Sequence, residues 1–444
     1  MFSYTQQQLQ QITTEALAFA KKSGASAAEV SSSERIGQQV SVRMQQTDQI
    51  EYQQNKILDI TVYDGKRKGY ASTADFSKNA IEQTVKAALD IARYTEEDSY
   101  SGLADPDLLA KLPVPELSLY HSWNLSTEDA LILAKNCEQA ALDADTRIDN
   151  SEGAAVNTAQ RQFVYANSNG FCAGYPSSFN SISCCVIAKD GEQMQRDYWF
   201  SQARDHNDLL AVEQIGQMAA SRVLRRLHGK SLKTGQYPVI FEAPVAKSLV
   251  GHIVSALSGG QLYRQTTFLL DSLGKQKLAK PVRLTEHPHI NKGIASCFFD
   301  DEGVATQERT VVGAGVVEGY FLGSYSARKL GMKTTANAGG AHNLKLEDTG
   351  HDLQQLLDLM GTGLLITELI GQGVNLLTGD YSRGAAGFWV ENGQLMHPVE
   401  EITVAGNLSD MLMGIVGIGN DIQPNQPVIN GSVFIDQMTV ASNQ

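Results

Sequence analysis

The segment TGDYSRGAAGFWVENG, residues 378–393, places a carboxylate, a phenol, a guanidinium and an indole between glycines. Arg383 could bind a substrate carboxylate through two hydrogen bonds, and Tyr381 or Trp389 could cover apolar side chains. An extended peptide could also add to a strand here through main-chain hydrogen bonds. The alternative is a hairpin whose aromatic side chains fill the core. We favour a role in shaping a chamber or an interface, which Asp380 would share, over a role in chemistry.

Histidine is the second residue type that could do chemistry, and its nine copies show no H-E-x-x-H spacing. The segment YPVIFEAPVAKSLVGHIVSALSGG predicts a strand followed by a helix with Pro244 in its first turn. His252 lies at the edge of the apolar stripe of this helix, where we expect a packed and hydrogen-bonded side chain. His287 and His289 could hold a metal from a strand, but Pro288 between them favours a loop.

Other signatures of chemistry are weak or missing. GAGVVEG, residues 313–319, is rich in glycine, but valines flank the glycines, so the pattern predicts a hairpin rather than a nucleotide-binding loop. A Walker loop and the esterase G-x-S-x-G elbow do not occur in the sequence. The five cysteines have irregular spacing and no C-x-x-C pair, which indicates neither a disulfide framework nor a zinc ribbon.

The elements that must position these residues repeat in the first half of the chain. A helix, a run of strands and a second helix are predicted over about 1–94, and the same order recurs over about 124–230. The proline-bearing stretch between them, 95–123, is predicted as a linker. We therefore predict a duplicated helix–β-meander–helix region over 1–230.

The remainder of the chain, 234–444, is rich in glycine and in short strand patterns. Its order is mostly strand–turn–strand, with helices predicted after Pro244 and at 351–359. This order favours an antiparallel, barrel-like sheet. The predicted fold class is therefore α+β, a duplicated N-terminal region followed by a β-rich C-terminal domain.

Composition narrows the choice of partners. The formal net charge of −13 argues against nucleic acid as the main partner. No apolar run approaches the roughly 18 residues of a membrane-spanning helix, and the N-terminus has no secretory signal pattern. We expect a cytoplasmic protein.

The densest basic cluster falls at the end of a predicted helix, where its charges would complement the helix dipole and cap the last carbonyls. The residues of this cluster are Arg222, Arg225, Arg226, His228 and Lys230.

Five stretches together resemble the TldD/PmbA family, and the resemblance spans nearly the whole chain. The segment 378–393 is specific to the PmbA (TldE) branch of that family. The other four stretches are the strand–helix segment at 237–260, SCFFDDEGVATQERTVVGAGVVEGYFLGSYSARKLGM, GLLITELIGQGVN and QPVINGSVFIDQMTV. The resemblance implies a duplicated α+β N-terminal part, a β-rich C-terminal part and assembly into dimers.

The resemblance also implies a function. The family works as a cytoplasmic metallopeptidase in which TldD and TldE subunits pair, trims unfolded peptides and matures a small peptide antibiotic of the microcin type. Its older description, modulator of DNA gyrase, reflects genetics around a gyrase-targeting peptide. By this resemblance the partner of the chain is a TldD-like subunit and the substrate is an unfolded peptide, while the formation of a homodimer stays open.

The metal motif of the family is incomplete in this chain. TldD-type members carry H-E-x-x-x-H on the helix that corresponds to the one with His252, and a cysteine near the C-terminus. If His252 takes the first position, an isoleucine replaces the glutamate and Leu257 replaces the second histidine. If it takes the second position, Lys247 and Ser248 stand at the ligand and base positions. Cys297 is the last cysteine, so the late thiolate is missing too. The resemblance thus implies no metal and no catalytic residue here, with zinc in the TldD-type partner.

We therefore predict a non-catalytic, TldE-type subunit of a cytoplasmic metallopeptidase. Two alternatives remain, an independent metallopeptidase with unrecognised ligands and a regulatory binding protein that acts on a topoisomerase. The candidates for lining the peptide chamber or the subunit interface are Asp380, Tyr381, Arg383, Trp389 and His252.

Overall fold

The structure, a computed structural model, describes residues 2–442. Residues 1, 443 and 444, where the predicted N-terminal region begins and the predicted C-terminal domain ends, lie outside the described residues. Within 2–442, no helix is both long enough and apolar enough to cross a membrane.

The N-terminal residues repeat one arrangement twice, which confirms the predicted duplication. In each copy a helix leads into long strands and a second helix follows them. Each copy begins with a hydroxyl cap, since the side chains of Thr5 and Ser126 accept backbone N–H groups of the first helical turn. The first copy comprises α1 (Gln6–Lys22), β1 (Ala27–Arg43), β2 (Gln46–Asp64), β3 (Arg67–Thr73) and α2 (Lys78–Tyr94). The second comprises α3 (Thr127–Leu142), β4 (Asn150–Asn167), β5 (Cys172–Ala173), β6 (Pro176–Asp190), β7 (Gln193–Ala203) and α4 (Val212–Leu224).

The two copies share a single antiparallel sheet. Strands β1 and β4 pair over fourteen positions from Glu29↔Asn167 to Val42↔Ala154, which gives the order β3-β2-β1-β4-β6-β7 with β5 beside β4. Buried residues of α1 and α2 pack on the first copy's strands, and those of α3 and α4 pack on the second copy's strands. Strand β7 therefore ends the sheet on the side of the second copy.

The stretch predicted as a linker, 95–123, packs closely against the C-terminal residues. It contains a 3-10 turn at Pro106–Leu108, and the backbone N–H of Ala110 donates to the carbonyl of Gly303 at 2.9 Å. Leu117 is buried in an aromatic cluster that draws side chains from both halves of the chain. The prolines of the stretch 95–123 prevent regular structure there, but its apolar side chains pack against both halves of the chain.

The C-terminal residues form a closed sheet, which confirms the predicted barrel-like arrangement. Strands β15, β14, β13, β8 and β18 pair in this order, β18 pairs back onto β15, and β16 adds to β18. A smaller sheet has the order β11-β10-β9-β12-β17. Most pairs are antiparallel, but β8–β13 and β12–β17 are parallel. The strands are β8 (Gly235–Phe241), β9 (Leu284–Glu286), β10 (Arg309–Gly313), β11 (Val316–Val317), β12 (Leu344–Leu346), β13 (Gly363–Ile370), β14 (Asp380–Glu391), β15 (Gln394–Asn407), β16 (Ile415–Ile418), β17 (Val428–Ile429) and β18 (Val433–Ser442).

Helices cover both faces of the closed sheet. Since side chains alternate along a strand, Phe241 of β8 faces one core and its neighbour Ile240 faces the other. Ile253 of the first C-terminal helix packs on the Phe241 side, and Leu356 of a later helix packs on the Ile240 side. The helices of this half are α5 (Ala243–Ala256), α6 (Gly259–Arg264), α7 (Ser324–Lys329), α8 (Leu353–Met360) and α9 (Leu408–Met413), and a further 3-10 turn at His206–Asp208 precedes α4.

The predicted hairpin at 313–319 is confirmed, and the hairpin considered as the alternative for 378–393 is present too. The glycine-rich stretch 313–319 joins β10 to β11, with Val312 opposite Val317. The segment 378–393 contains the whole of β14 and turns into β15 at Asn392 and Gly393, both of which have a positive φ. Such a pair of left-handed residues is the preferred two-residue hairpin loop.

Candidate functional site

His252 lies half-buried on α5 and faces β14. The apolar residues of α5, among them Leu249 and Ile253, are buried in the core and fix the helix against the closed sheet. The imidazole ring lies edge-on to the ring of Tyr381, with 6.0 Å between the ring centroids. We expected a hydrogen-bonded histidine, but Nε2 is buried without a partner in the described residues. Burial, and then the charge of Arg383, lower the pKa of His252.

Tyr381 and Arg383 lie two residues apart on β14, so their side chains leave the same face of the sheet. Tyr381 is 2% exposed, and within residues 2–442 its hydroxyl forms no hydrogen bond of ordinary geometry, although the Arg383 side chain lies close enough to interact with it. Burial raises the pKa of Tyr381 to about 12, while the charge of Arg383 and its contact with the hydroxyl act in the opposite direction. The Nε atom of Arg383 is also buried without a partner in that range. The structure thus brings together three of the five predicted candidates.

A cavity of about 310 Å³ opens beside these residues, and we call it the Arg383 cavity. It lies where β7, α4, the first turns of α5, β13 and β14 meet. Edge strand β7 contributes the aromatic side chains of Trp199 and Phe200, and α5 contributes Lys247. From β13 comes Thr367, which is 4% exposed and whose hydroxyl is a further buried atom without a partner in the described residues.

Arginines of α4 and its C-terminal end form a buried ionic network next to the Arg383 cavity. Three guanidinium groups face three carboxylates from β7, from the start of α5 and from β13. The contacts are Arg222–Asp197 at 3.2 Å, Arg222–Glu242 at 3.0 Å, Arg225–Glu242 at 3.1 Å, Arg226–Asp197 at 3.6 Å and Arg226–Glu368 at 2.5 Å. This corrects the expected helix cap, because these arginines pair with acids that the fold brings in from distant positions. The network holds α4 and β7 against the closed sheet.

The remaining two candidates lie away from the Arg383 cavity. Asp380 is exposed at the start of β14, and its carboxylate accepts a hydrogen bond from Thr378 at 2.6 Å. Trp389 lies near the other end of β14, half-buried and edge-on to Tyr237 with 5.4 Å between centroids. Its indole N–H donates to Glu391 at 2.8 Å. Neither side chain lines the space beside Arg383.

A second cavity, of about 670 Å³, lies between the N-terminal sheet and two C-terminal loops. It contains a pair that the sequence analysis missed, since Cys297 Sγ lies 3.2 Å from His342 Nδ1. His342 Nε2 lies 2.8 Å from the carbonyl of Ala336, so it carries the ring proton and leaves Nδ1 to accept from the thiol. The two residues are 45 positions apart and no local motif announces them.

The thiol of this pair is poorly suited to be a nucleophile. Burial, together with the carboxylates of Asp300, Glu286 and Asp301, raises the pKa of Cys297 to about 12. Reactive cysteines have a lowered pKa, because the thiolate is the reacting form. Burial also raises the pKa of Asp300, to about 7. The pair can exchange a hydrogen bond, but its surroundings disfavour the charged thiolate.

The side chains near His252 do not fit a catalytic zinc ion, which needs three protein ligands. Lys247 is a cation, the hydroxyl of Ser248 donates to the carbonyl of Val245 at 2.7 Å, and Leu257 is fully buried in the core. Over residues 2–442, no group of three or more His, Cys, Asp or Glu side chains has a metal-binding arrangement. The side chains around His252 therefore do not form a zinc site.

The other predicted histidine pair is also separated. His287 and His289 lie in the loop after β9, as Pro288 suggested. His287 Nε2 lies 2.9 Å from the hydroxyl of Thr285, whereas His289 Nε2 lies 3.0 Å from that of Thr306. Each ring has its own hydroxyl partner, so the loop holds the rings apart.

Comparison with known proteins assigns the family. Models of the three domains of PmbA/TldA metallopeptidases match this chain, domain 1 over residues 28–92, the central domain over 120–227 and the C-terminal domain over 234–442. The chain therefore belongs to the PmbA/TldD metallopeptidase family.

Individual relatives agree with this assignment. Metalloprotease PmbA of Escherichia coli O157:H7 is 48% identical over 425 residues, which cover 96% of this chain and 94% of that protein. A solved Bacteroides thetaiotaomicron protein, described as a candidate modulator of DNA gyrase, superposes with a TM-score of 0.92 at 30% identity and covers 98% of both chains. TldE from Thermococcus kodakarensis superposes with a TM-score of 0.86 and covers 97% of this chain and 100% of its own. Its identity is 19%, so that likeness supports the fold alone.

Proposed function

We propose that this chain is a non-catalytic, TldE-type subunit that pairs with a TldD-like subunit in a cytoplasmic metallopeptidase. In this complex the partner holds the zinc ion, and this chain forms part of the wall of the peptide chamber. Unfolded peptides are the substrates, a microcin-type peptide antibiotic among them. The observation that carries the proposal is the side-chain set around His252, in which one imidazole stands without a second ligand or a carboxylate base.

The side chains near His252 support the absence of a metal site more strongly than they support a site with one misplaced ligand. A ligand could be missing because a loop is out of place, but α5 is a regular helix held by a buried apolar face. The positions that would supply ligands carry an ammonium group, a hydroxyl already bound to the backbone, and a core leucine. Small movements of Lys247, Ser248 or Leu257 would not create a nitrogen, sulfur or carboxylate ligand.

The Arg383 cavity supports a role with peptides. Strand β7 ends its sheet and supplies one wall of the cavity, so an extended peptide could add beside it through main-chain hydrogen bonds. Arg383 and Lys247 offer positive charge in the same cavity, and the Lys247 ammonium lies 5.7 Å from the centre of the Phe200 ring. A wall with a strand edge, aromatic rings and cations suits a peptide better than it suits a nucleic acid, whose phosphates need an extended basic surface.

Zinc analysis of the purified chain is the direct test. We expect less than stoichiometric zinc in the chain alone, no hydrolysis of unfolded peptides by it, and hydrolysis once a TldD-like chain is added. The matched variant His252→Ala should leave the zinc content of the chain unchanged. One zinc per chain that is lost in His252→Ala would refute the proposal and favour an independent metallopeptidase.

Arg383→Ala tests the chamber wall in the mixed complex. A charged hydrogen bond to a carboxylate is worth about 1.5–3 kcal/mol, so we expect kcat/KM to fall roughly ten- to a hundredfold while the fold stays intact. An early melting transition combined with normal cleavage by the cold complex would mean that Arg383 only supports the hairpin.

The Cys297–His342 pair is the one observation that favours a second candidate, a thiol peptidase. The raised pKa of Cys297 argues against it, and Cys297→Ser decides it. We expect this variant to leave cleavage by the mixed complex unchanged. Partner-free hydrolysis that Cys297→Ser abolishes would establish the second candidate instead, and binding to a topoisomerase without any peptidase activity would establish a regulatory role.

A further inference from the structure

The Arg383 cavity carries a charge imbalance that the ionic network does not remove. Of its acidic lining residues, Asp197 and Glu368 are both paired with arginines at the end of α4. The network contains three arginines and three carboxylates, so it is neutral as a whole. Lys247 and Arg383 also line the cavity, and neither forms an ion pair with a carboxylate of the described residues. Two cations therefore face the cavity without an opposite charge.

Unpartnered hydrogen-bonding atoms lie at the same wall. The hydroxyl of Thr367 and the Nε–H of Arg383 are buried and have no partner in residues 2–442, and both side chains line the cavity. Buried polar atoms are nearly always hydrogen-bonded in folded proteins. Arg383, Lys247 and Thr367 together therefore present two unbalanced positive charges and two unpartnered donors, which indicates that an anionic acceptor completes this wall.

Part of the wall is apolar. Trp199 and Phe200 of β7, together with Val245 and Leu369, also line the cavity, and the Lys247 ammonium lies 5.7 Å from the centre of the Phe200 ring. With about 310 Å³, the cavity falls at the lower end of the range of about 300–1,000 Å³ for small-molecule sites. A free phosphate would satisfy the cations but would leave this wall without contacts. The combination fits a ligand with one carboxylate and one apolar group.

We propose that the Arg383 cavity binds the C-terminal residue of a peptide, with the carboxylate at Arg383, Lys247 and Thr367 and the last side chain against Trp199 and Phe200. This inference rests on the proposed function in so far as the substrate is a peptide. It goes further, because it assigns this chain the task of recognising the free C-terminus. The metal of the partner would then act on a bond at a fixed distance from the peptide end.

Every residue of this site comes from one chain, so binding is expected without the partner. The test is a ligand-detected NMR titration of the purified full chain with acetyl-Ala-Phe as the free acid and as the amide. The acid should bind, and the amide should bind about ten- to a hundredfold more weakly, since it cannot form the charged hydrogen bonds. Inorganic phosphate should compete only weakly with the acid.

Two variants test which side chains bind the carboxylate, and a third is a control. Arg383→Gln should remove most of the preference for the acid. Thr367→Val removes a hydroxyl that has no partner in the unliganded chain, so it should weaken acid binding severalfold without lowering the melting temperature. Arg264→Gln is the matched control, because this exposed arginine contacts Tyr263 outside the cavity and should leave binding unchanged.

Several results would overturn the assignment. Equal binding of acid and amide, no binding of either by the folded chain, or equal competition by phosphate would each exclude recognition of a peptide C-terminus. Binding of an amidated peptide that ends in aspartate as tightly as the acid would do the same. None of these outcomes touches the zinc content or the partner-dependent hydrolysis, so a failure of this inference is distinguishable from a failure of the proposed function.

Discussion

Tyr381→Phe removes one hydroxyl from a fully buried position and leaves the ring in place. Within the described residues the hydroxyl lies near the side chain of Arg383 but forms no hydrogen bond of ordinary geometry, while the ring packs in the main C-terminal core. A buried polar group without a hydrogen bond costs about 1–3 kcal/mol of stability. We therefore expect the free energy of unfolding to rise by about 1–3 kcal/mol in the variant, which is the opposite of the usual effect of a core substitution.

Tyr320→Phe is the matched control for this prediction. Tyr320 is also buried, at 6% exposure, but its hydroxyl accepts a hydrogen bond from the backbone N–H of Leu273 at 3.0 Å. Loss of that bond should lower the free energy of unfolding by about 0.5–1.5 kcal/mol. Urea denaturation followed by circular dichroism measures both variants on the same scale. If Tyr381→Phe loses as much stability as Tyr320→Phe, the hydroxyl of Tyr381 is already satisfied in solution and the reasoning is wrong.

Three further predictions concern the surroundings of the site. Glu242→Gln should lower the free energy of unfolding by about 1.5–3 kcal/mol, because it removes the carboxylate of Arg225 and one of the two carboxylates of the buried Arg222, whereas Asp90→Asn, at an exposed ion pair, should have no measurable effect. The pKa of His252 is lowered in the folded chain, so its contribution to the free energy of unfolding is present above about pH 6.5 and is lost as the pH falls below that value. Denaturation measured at pH 5–8 should show a smaller loss in His252→Gln. Phe388→Ala should cost about 3–5 kcal/mol by the same measurement, and Trp389→Ala should cost less, because Phe388 is buried whereas Trp389 is only half-buried.

Local patterns were sufficient for most of the fold. The apolar spacing of α1 and α3 and the turn at Asn392 and Gly393 depend on neighbouring residues, so the sequence alone indicates them. The pairing of β1 with β4 and of β15 with β18 joins distant positions. Such pairings are set by the burial of whole faces, and a periodicity of two cannot reveal which strands become neighbours.

The same limit applies to the site. Tyr381, Arg383 and His252 were accessible from their residue types and from the strand and helix that carry them. The basic cluster at Arg222 was interpreted as a helix cap because its acidic partners, such as Glu368, lie far away in sequence. The pairing of Cys297 with a distant histidine had no local signature at all. Charge clusters are therefore misread when their counter-charges are supplied by tertiary structure.

The buried polar atoms near α5 that lack a hydrogen bond lower the stability of the folded chain. His252, Thr367, Tyr381 and Arg383 each leave a buried nitrogen or oxygen atom unpaired within residues 2–442, and each such atom lowers stability by about 1–3 kcal/mol. The fold itself gains nothing from them, because apolar side chains of similar shape would pack there at lower cost. A ligand that supplies the missing partners recovers this free energy on binding. These unpaired atoms around His252 support the proposed peptide site, and the side chains there do not fit a zinc ion.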